Sequence, residues 1–255
     1  MASDIDRIPD DPLAMPPPFW RSAGAIFHIL RALDQLVGHL AELVPVKIDT
    51  EERLDAYFAR DPEPSDDDPA FGMICGSLWV LESEVVCDAE LAVLMTAIAA
   101  EDEINRFCVY NLHRELAETL EKLSLPEKLI VASTIMGDPS VKGRHPYEAV
   151  KKLTTWRNRF AHGHCVDRPT TSLRRNHLIH PSVYPGVPDT VAKCIDLLDG
   201  YLIYWRYLAS ISKNPYTATC TVEDQTITEQ LVKLRKYRFE GGPDSYDILL
   251  RDLES

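Results

Sequence analysis

Hydrophobic side chains near the start of the chain recur at steps of three and four residues across residues 19–43. This spacing places them on one face of an α-helix. We predict that the helix ends near Pro45, because proline has no backbone N–H to donate. A shorter helix is predicted over residues 50–59. Residues 1–18 end in three consecutive prolines and carry little apolar material, so they are predicted to form a loose arm.

Residues 61–69 interrupt this pattern, because they combine three prolines with five acidic residues. Such a stretch cannot bury itself and is predicted to be a solvated linker. The helical period then returns, and strand-like alternation is nearly absent. It predicts further helices over residues 71–84, 88–123, 125–136, 146–162, 189–213 and 223–238.

The predicted fold class is therefore all-α, an antiparallel helical bundle with an N-terminal helical extension, because the connections between helices are short. The predicted organisation has three parts. Residues 1–69 form the flexible arm, the N-terminal helices and the acidic linker. Residues 70–213 form the bundle, and residues 214–255 form a C-terminal helix and tail.

Composition and charge narrow the class of protein. With 255 residues and 45% hydrophobic side chains, the chain can bury a sizeable core. Its net charge of -13 argues against nonspecific coating of DNA or anionic membranes. The six cysteines form no C-x-x-C pair, and the acidic start is unlike a secretory signal. The longest apolar run, residues 91–100, is too short to span a bilayer. We expect a cytoplasmic protein without a membrane segment.

One spacing, Arg-Asn-x-x-x-His, occurs twice, from Arg157 to His162 and from Arg175 to His180. The first copy lies at the end of a predicted amphipathic helix. Five helical residues rotate by about 500°, which leaves its arginine and histidine about 140° apart along one flank. The second copy lies between prolines in a region without helical periodicity. We interpret it as a coincidence in a basic loop that can still contact RNA, because catalytic groups need a rigid scaffold.

Basic residues gather around the first copy. Residues 141–180 hold nine Lys and Arg against two acidic residues, a charge of +7, which leaves -20 for the rest of the chain. This segment is where a polyphosphate ligand would bind. The alternative is a helix and loop that are basic without a ligand. The residues predicted to contact RNA are Lys151, Lys152, Arg159, His164, Arg174 and Arg175.

The stretch from Leu153 to Gly163 (LTTWRNRFAHG) resembles the signature of the HEPN (higher eukaryotes and prokaryotes nucleotide-binding) superfamily. Two preceding segments add to the resemblance, EDEIN at residues 101–105 and LSLPEKL at residues 123–129. It covers roughly residues 71–213 and implies a HEPN-like bundle. It also implies a metal-independent endoribonuclease that works as a homodimer without a cofactor, in a bacterial stress or defence system with toxin-like or antiviral members. An antitoxin or a defence-system protein is then a candidate partner.

The residues of the motif suit this chemistry. His162 is the candidate general base for a ribose 2′-hydroxyl, and Arg157 the candidate partner of the scissile phosphate. Asn158 would orient the phosphate or the imidazole. The predicted products carry 2′,3′-cyclic phosphate and 5′-hydroxyl ends, and a second His162 from a partner subunit is the candidate acid. The resemblance adds Glu101 or Glu103, with Asn105, as support for the arginine.

Three other interpretations remain open for the motif. Its arginine, asparagine and histidine can simply close the end of a helix by hydrogen bonds to free carbonyl groups. A non-catalytic module that dimerises and binds a nucleotide, an RNA or a protein partner also fits. His162, His164 and Cys165 are potential metal ligands, but they lack a second ligand cluster at zinc-finger spacing, so no metal site is predicted.

Overall fold

Seven helices and one two-stranded sheet make up the described part of this computed structural model, which comprises residues 18–60, 69–161, 186–213, 221–242 and 245–250. The mostly helical class predicted from the sequence is confirmed, whereas a HEPN-like bundle stays a prediction. The helices are α1 (Pro18–Arg60), α2 (Pro69–Asn111), α3 (Arg114–Leu120), α4 (Leu125–Ile135), α5 (His145–Ala161), α6 (Val187–Ile211) and α7 (Thr221–Leu234). The strands are β1 (Tyr237–Gly242) and β2 (Ser245–Leu250).

Helix α1 does not end at Pro45, so the predicted break there is wrong. Proline removes one backbone hydrogen bond, but the apolar face continues on both sides of it, with Leu43 and Tyr57 buried. The next turn is closed by Thr50, whose hydroxyl donates to the Val46 carbonyl at 2.7 Å. Burial of one continuous face therefore outweighs the local cost of the proline.

Helix α2 is also continuous, where the sequence predicts two helices with a break before Asp88. It ends at Asn111 rather than near residue 123. The Asn111 side chain closes this end, because its Nδ2 donates to the Phe107 carbonyl at 3.0 Å. Its Oδ1 accepts hydrogen bonds from the Ser212 hydroxyl at 3.0 Å and the Lys213 backbone at 2.9 Å. The end of α2 is thereby tied to the end of α6.

Helix α1 precedes the predicted domain boundary at residue 69 and α2 follows it, and both helices contribute to one hydrophobic core. Ile29, Leu33 and Leu36 of α1 belong to the same buried cluster as Val85 and Ala92 of α2. A polar contact also joins the two helices, His39 Nδ1 to Asp88 Oδ2 at 2.7 Å. The predicted linker itself, up to residue 68, lies outside the described residues.

Helix α5, which carries Arg157 and Asn158 of the motif, packs closely against α6. A Cβ atom built on Gly200 would lie 3.0 Å from the Cβ of Ala149, closer than two carbon atoms normally approach. Lys152 pairs with Asp196 at 2.8 Å, and the Lys193 ammonium lies 4.6 Å from the centre of the Trp156 ring. In these three contacts, the residue of α6 moves to lower numbers as the residue of α5 moves to higher numbers. The two helices are therefore antiparallel.

The predicted start of α4 at Ser124 is confirmed. The backbone N–H and the hydroxyl of Ser124 both donate to Glu127 Oε2, at 2.9 and 2.6 Å. These two hydrogen bonds lower the pKa of Glu127, because they favour its charged form. The glycine predicted as the stop, Gly137, has a φ of 95°, a value that favours glycine.

The C-terminal hairpin was not predicted from the sequence. Helix α7 ends at Leu234 rather than near residue 238, and β1 and β2 then pair antiparallel. Tyr246 fixes the hairpin to the helices. Its hydroxyl donates to Glu82 at 2.6 Å, and Lys47 lies 4.7 Å from its ring centre. Among the described helices, none is long and apolar enough to cross a membrane.

Candidate functional site

The motif arginine is held by an acidic residue from another helix. Arg157 Nη1 donates to Glu101 Oε2, which lies 56 residues earlier in the chain, on α2. The side chains of Arg157 and Glu101 are 30% and 34% exposed, so the pair lies at the surface rather than in the core. One carboxylate cannot satisfy all five donors of a guanidinium group. Arg157 is therefore oriented and still accessible to solvent.

A buried lysine joins this pair from a third helix. Lys128 of α4 is only 2% exposed, and its Nζ donates to Asn105 Oδ1 at 2.8 Å. The same nitrogen lies 3.9 Å from Glu101 Oε1. Asn105 and Glu101 are four residues apart on α2, and side chains at this spacing share a helix face. Helices α2, α4 and α5 therefore meet in one polar cluster of Glu101, Asn105, Lys128 and Arg157, which we call the arginine cluster.

Asn158 lies at the edge of the arginine cluster. Its side chain is exposed, and its Oδ1 is 3.4 Å from Arg157 Nη2, near the upper limit of a hydrogen bond. This weak contact leaves the amide group able to turn toward a ligand.

Glu103 does not join the arginine cluster. Two helical residues rotate by about 200°, so Glu103 faces away from Glu101. It is 3% exposed and pairs with Arg106, which is also buried. Burial raises the pKa of Glu103, and the neighbouring Arg106 only partly offsets this effect. Of the two acidic residues predicted to support Arg157, only Glu101 makes the contact.

Several predicted site residues lie outside the described part of the chain. These are His162, His164, Arg174 and Arg175, together with the second motif copy that ends at His180. Arg159 belongs to α5, but its side chain is not described. Lys151 and Lys152 are exposed on α5, and Lys152 forms its ion pair with Asp196.

Sequence reasoning missed Lys128 as a site residue. The segment LSLPEKL, which contains Lys128, contributes to the sequence interpretation only through the family resemblance. A lysine is rarely fully buried unless it is paired, so its place in the arginine cluster depends on contacts that the sequence does not display. The signal that was available is a lysine between the apolar Leu125 and Leu129, both of which are buried in α4.

The arginine cluster is suited to bind an anion. Its ionisable groups are two cations, Lys128 and Arg157, and one carboxylate, Glu101, which gives a net charge of +1. Arginine is the side chain best shaped for a phosphate, because its planar donors match the phosphate oxygens. No group of three His, Cys, Asp or Glu residues suited to a metal ion occurs within the described residues.

Comparisons with known proteins found no matching family model, no matching curated protein and no matching solved structure. The resemblance to the HEPN superfamily therefore rests on the motif residues of this chain.

Proposed function

We propose that this protein is a metal-independent endoribonuclease of the HEPN type, with Arg157, Asn158 and His162 in its site. The observation that carries the proposal is the ion pair between Arg157 and Glu101, which fixes the motif arginine while its guanidinium stays accessible. A positioned, accessible arginine is what phosphate recognition requires, whereas an arginine that only closed a helix end would need no partner on α2.

The proposed reaction is attack of a ribose 2′-hydroxyl on the adjacent phosphorus atom. His162 takes the hydroxyl proton, and the 2′-oxygen bonds to phosphorus while the bond to the 5′-oxygen breaks. Arg157 stabilises the negative charge that builds on the phosphate oxygens, and Asn158 orients the phosphate. The leaving 5′-oxygen receives a proton from a second histidine. The products are a 2′,3′-cyclic phosphate and a 5′-hydroxyl, and DNA is not cleaved because it lacks the 2′-hydroxyl.

The need for a second histidine favours a homodimer. An exposed apolar face of α2 supports this part of the proposal, because it runs past Asn105. The residues of this face differ by no more than about 20° in their direction around the helix axis. Its members are Val80, Leu91, Ile98 and Val109, which are 37% to 60% exposed. We call it the α2 apolar face. Two copies packed through it, related by a two-fold axis, would bring their arginine clusters toward each other.

The resemblance also suggests a biological setting. We propose a cytoplasmic RNase of a bacterial stress or defence system, toxin-like or antiviral, whose activity an antitoxin or another defence protein controls. RNA is the proposed substrate. The charge of +7 over residues 141–180 supports local binding of RNA on a chain that is otherwise acidic.

A non-catalytic binding module is the second candidate. The observation in its favour is that Glu101 already engages Arg157, so part of the guanidinium is occupied before any ligand arrives. In such a module the same cluster would bind a nucleotide, an RNA or a protein partner without turnover.

The test is incubation of the purified protein with mixed RNA in excess chelator, with fragment ends analysed for cyclic phosphate. Arg157→Ala and His162→Ala are expected to abolish cleavage. His180→Ala, which changes the second motif copy, and Arg53→Ala, which removes an exposed arginine of α1 outside the basic segment, are expected to cleave like the wild type. If the wild-type protein cleaves no class of RNA, the binding module is the better description.

A further inference from the structure

We propose that Lys128 is a positioning residue that keeps the arginine cluster positively charged, so that Arg157 can bind a phosphate although it is paired with Glu101. This inference rests on the proposed function, because it takes an RNA phosphate as the ligand of Arg157. It assigns a role in the site to a residue that never touches the RNA.

The first argument is the geometry of the Glu101 carboxylate. Its Oε2 accepts the hydrogen bond from Arg157, and its Oε1 lies 3.9 Å from the Lys128 ammonium. Each oxygen of one carboxylate therefore faces a different cation. The single negative charge is shared between two positive charges, and one positive charge remains.

The second argument is the burial of Lys128. With 2% of its surface exposed, the ammonium cannot reach a ligand as large as RNA. Moving a charged group out of water is costly unless it is paired and hydrogen-bonded. Asn105 supplies a neutral acceptor at 2.8 Å, which holds the ammonium without cancelling its charge. Lys128 therefore acts on RNA through the charge of the arginine cluster rather than by direct contact.

The third argument is what would happen without the lysine. Glu101 and Arg157 alone would form a pair with no net charge. A phosphate approaching the guanidinium would then be repelled by the Glu101 carboxylate, which is also negatively charged. Lys128 removes this penalty while Glu101 still orients the guanidinium. The alternative is that Lys128 only links α4 to α2 and contributes to the stability of the fold without affecting RNA binding.

The experiment separates these two roles by restoring the charge without restoring the lysine. Lys128→Met keeps most of the buried volume and lowers the cluster charge from +1 to 0. Adding Glu101→Gln to Lys128→Met returns the charge to +1, and Glu101→Gln alone raises it to +2. Asn105→Asp lowers the charge to 0 while the lysine stays in place, so it replaces Lys128→Met if that variant does not fold. Circular dichroism and thermal melting confirm the fold of each variant.

The probe is a fluorescein-labelled oligonucleotide with 2′-O-methyl riboses, which presents phosphates but has no free hydroxyl to attack. Its dissociation constant is measured by fluorescence anisotropy over a series of salt concentrations. Lys128→Met is expected to weaken binding by about tenfold at low salt and to reduce the salt slope by about 1. The double variant is expected to regain the affinity and slope of the wild type, and Glu101→Gln is expected to bind most tightly.

Binding that stays as weak in the double variant as in Lys128→Met would overturn the proposal, because it would show a structural role. Equal binding by all variants, or no binding of the probe by the wild type, would overturn it as well. Cleavage of unmodified RNA is measured separately. If the wild type and the variants bind the probe in the predicted order of affinity but the wild type never cleaves RNA, the endoribonuclease is refuted and the role of Lys128 stands.

Discussion

Gly200 lies where α6 packs tightly against Ala149 of the motif helix α5, and replacing it by a larger residue tests whether that packing positions the site. A Cβ at this position would lie 3.0 Å from the Cβ of Ala149 and 3.5 Å from its Cα. Carbon atoms pack best at about 3.5–4.0 Å, so even one added carbon must push the helices apart by roughly 0.5 Å. Because Ala149 has no flexible side chain to rotate away, the backbone of α5 has to move.

We expect Gly200→Leu to destabilise the protein. Overpacking a tight contact costs about 1–3 kcal/mol, and the better helix propensity of leucine returns less than about 1 kcal/mol. The net loss of up to about 2 kcal/mol corresponds to a fall in Tm of up to roughly 8 °C for a chain of this size. The displaced α5 also carries Arg157 away from Glu101, so RNA cleavage should fall as well.

The matched control is Gly38→Leu, because Gly38 is exposed on α1 and an added Cβ meets no atom within 4 Å. There only the gain in helix propensity applies, so Tm should stay level or rise by up to about 4 °C. Thermal melting followed by circular dichroism measures both variants. If Gly200→Leu melts at or above the wild-type temperature, the close approach of α5 and α6 and the reasoning built on it are incorrect.

Three further predictions concern reactivity, pH and assembly. Burial raises the pKa of Cys108 to about 11 and of Cys194 to about 12, so both stay protonated at about pH 8 and a maleimide should modify the exposed Cys87 first. The two cysteines outside the described residues are replaced by serine for this test, and labelling of Cys108 and Cys194 as fast as that of Cys87 would contradict their burial. Hydrogen bonds from Ser140 and Tyr207 lower the pKa of Asp138, so it stabilises the fold above its unfolded pKa and loses this effect as the pH falls below about 4. Urea unfolding should show a smaller loss of stability on acidification in Asp138→Asn, and an unchanged loss would argue against these bonds. Replacing Leu91 and Ile98 of the α2 apolar face by lysine should shift a dimer toward monomer in analytical ultracentrifugation, while Ile48→Lys on α1 should not; an unchanged dimer would place its interface elsewhere.

The candidate site could be predicted only in part from the sequence. The spacing of the motif put Arg157 and Asn158 on one helix, and the acidic segment on α2 was a reasonable source of a partner. The choice between Glu101 and Glu103 stayed open, although a hint was available in the helix phase. Glu103 is followed by the apolar Ile104 and Phe107, both fully buried, which indicates that its side of α2 faces the core.

Helix boundaries show the same limit. Proline at position 45 predicts the end of a helix because it cannot donate a backbone hydrogen bond, and the helical pattern predicts a new helix from about Asp88. The folded chain keeps both helices unbroken, since buried residues lie on both sides of each predicted break: Leu43 and Tyr57 around Pro45, and Val85 and Ala89 around Asp88. A prediction from local sequence counts the cost at one residue and cannot count the burial gained on either side.

The sequence by itself determined the helical class, the start of α4 at Ser124 and the placement of Arg157 and Asn158 on one helix. Each of these depends on residues within a few positions of one another, so a periodic pattern or a cap is enough to specify it. Only the tertiary structure decided that Glu101 is the partner of Arg157 and that Lys128 is buried beside it. Arg157 and Glu101 are 56 positions apart in the sequence, and Lys128 and its acceptor Asn105 are 23 positions apart. These contacts form because α2, α4 and α5 pack together, and the energy of that packing belongs to the whole core rather than to any short segment.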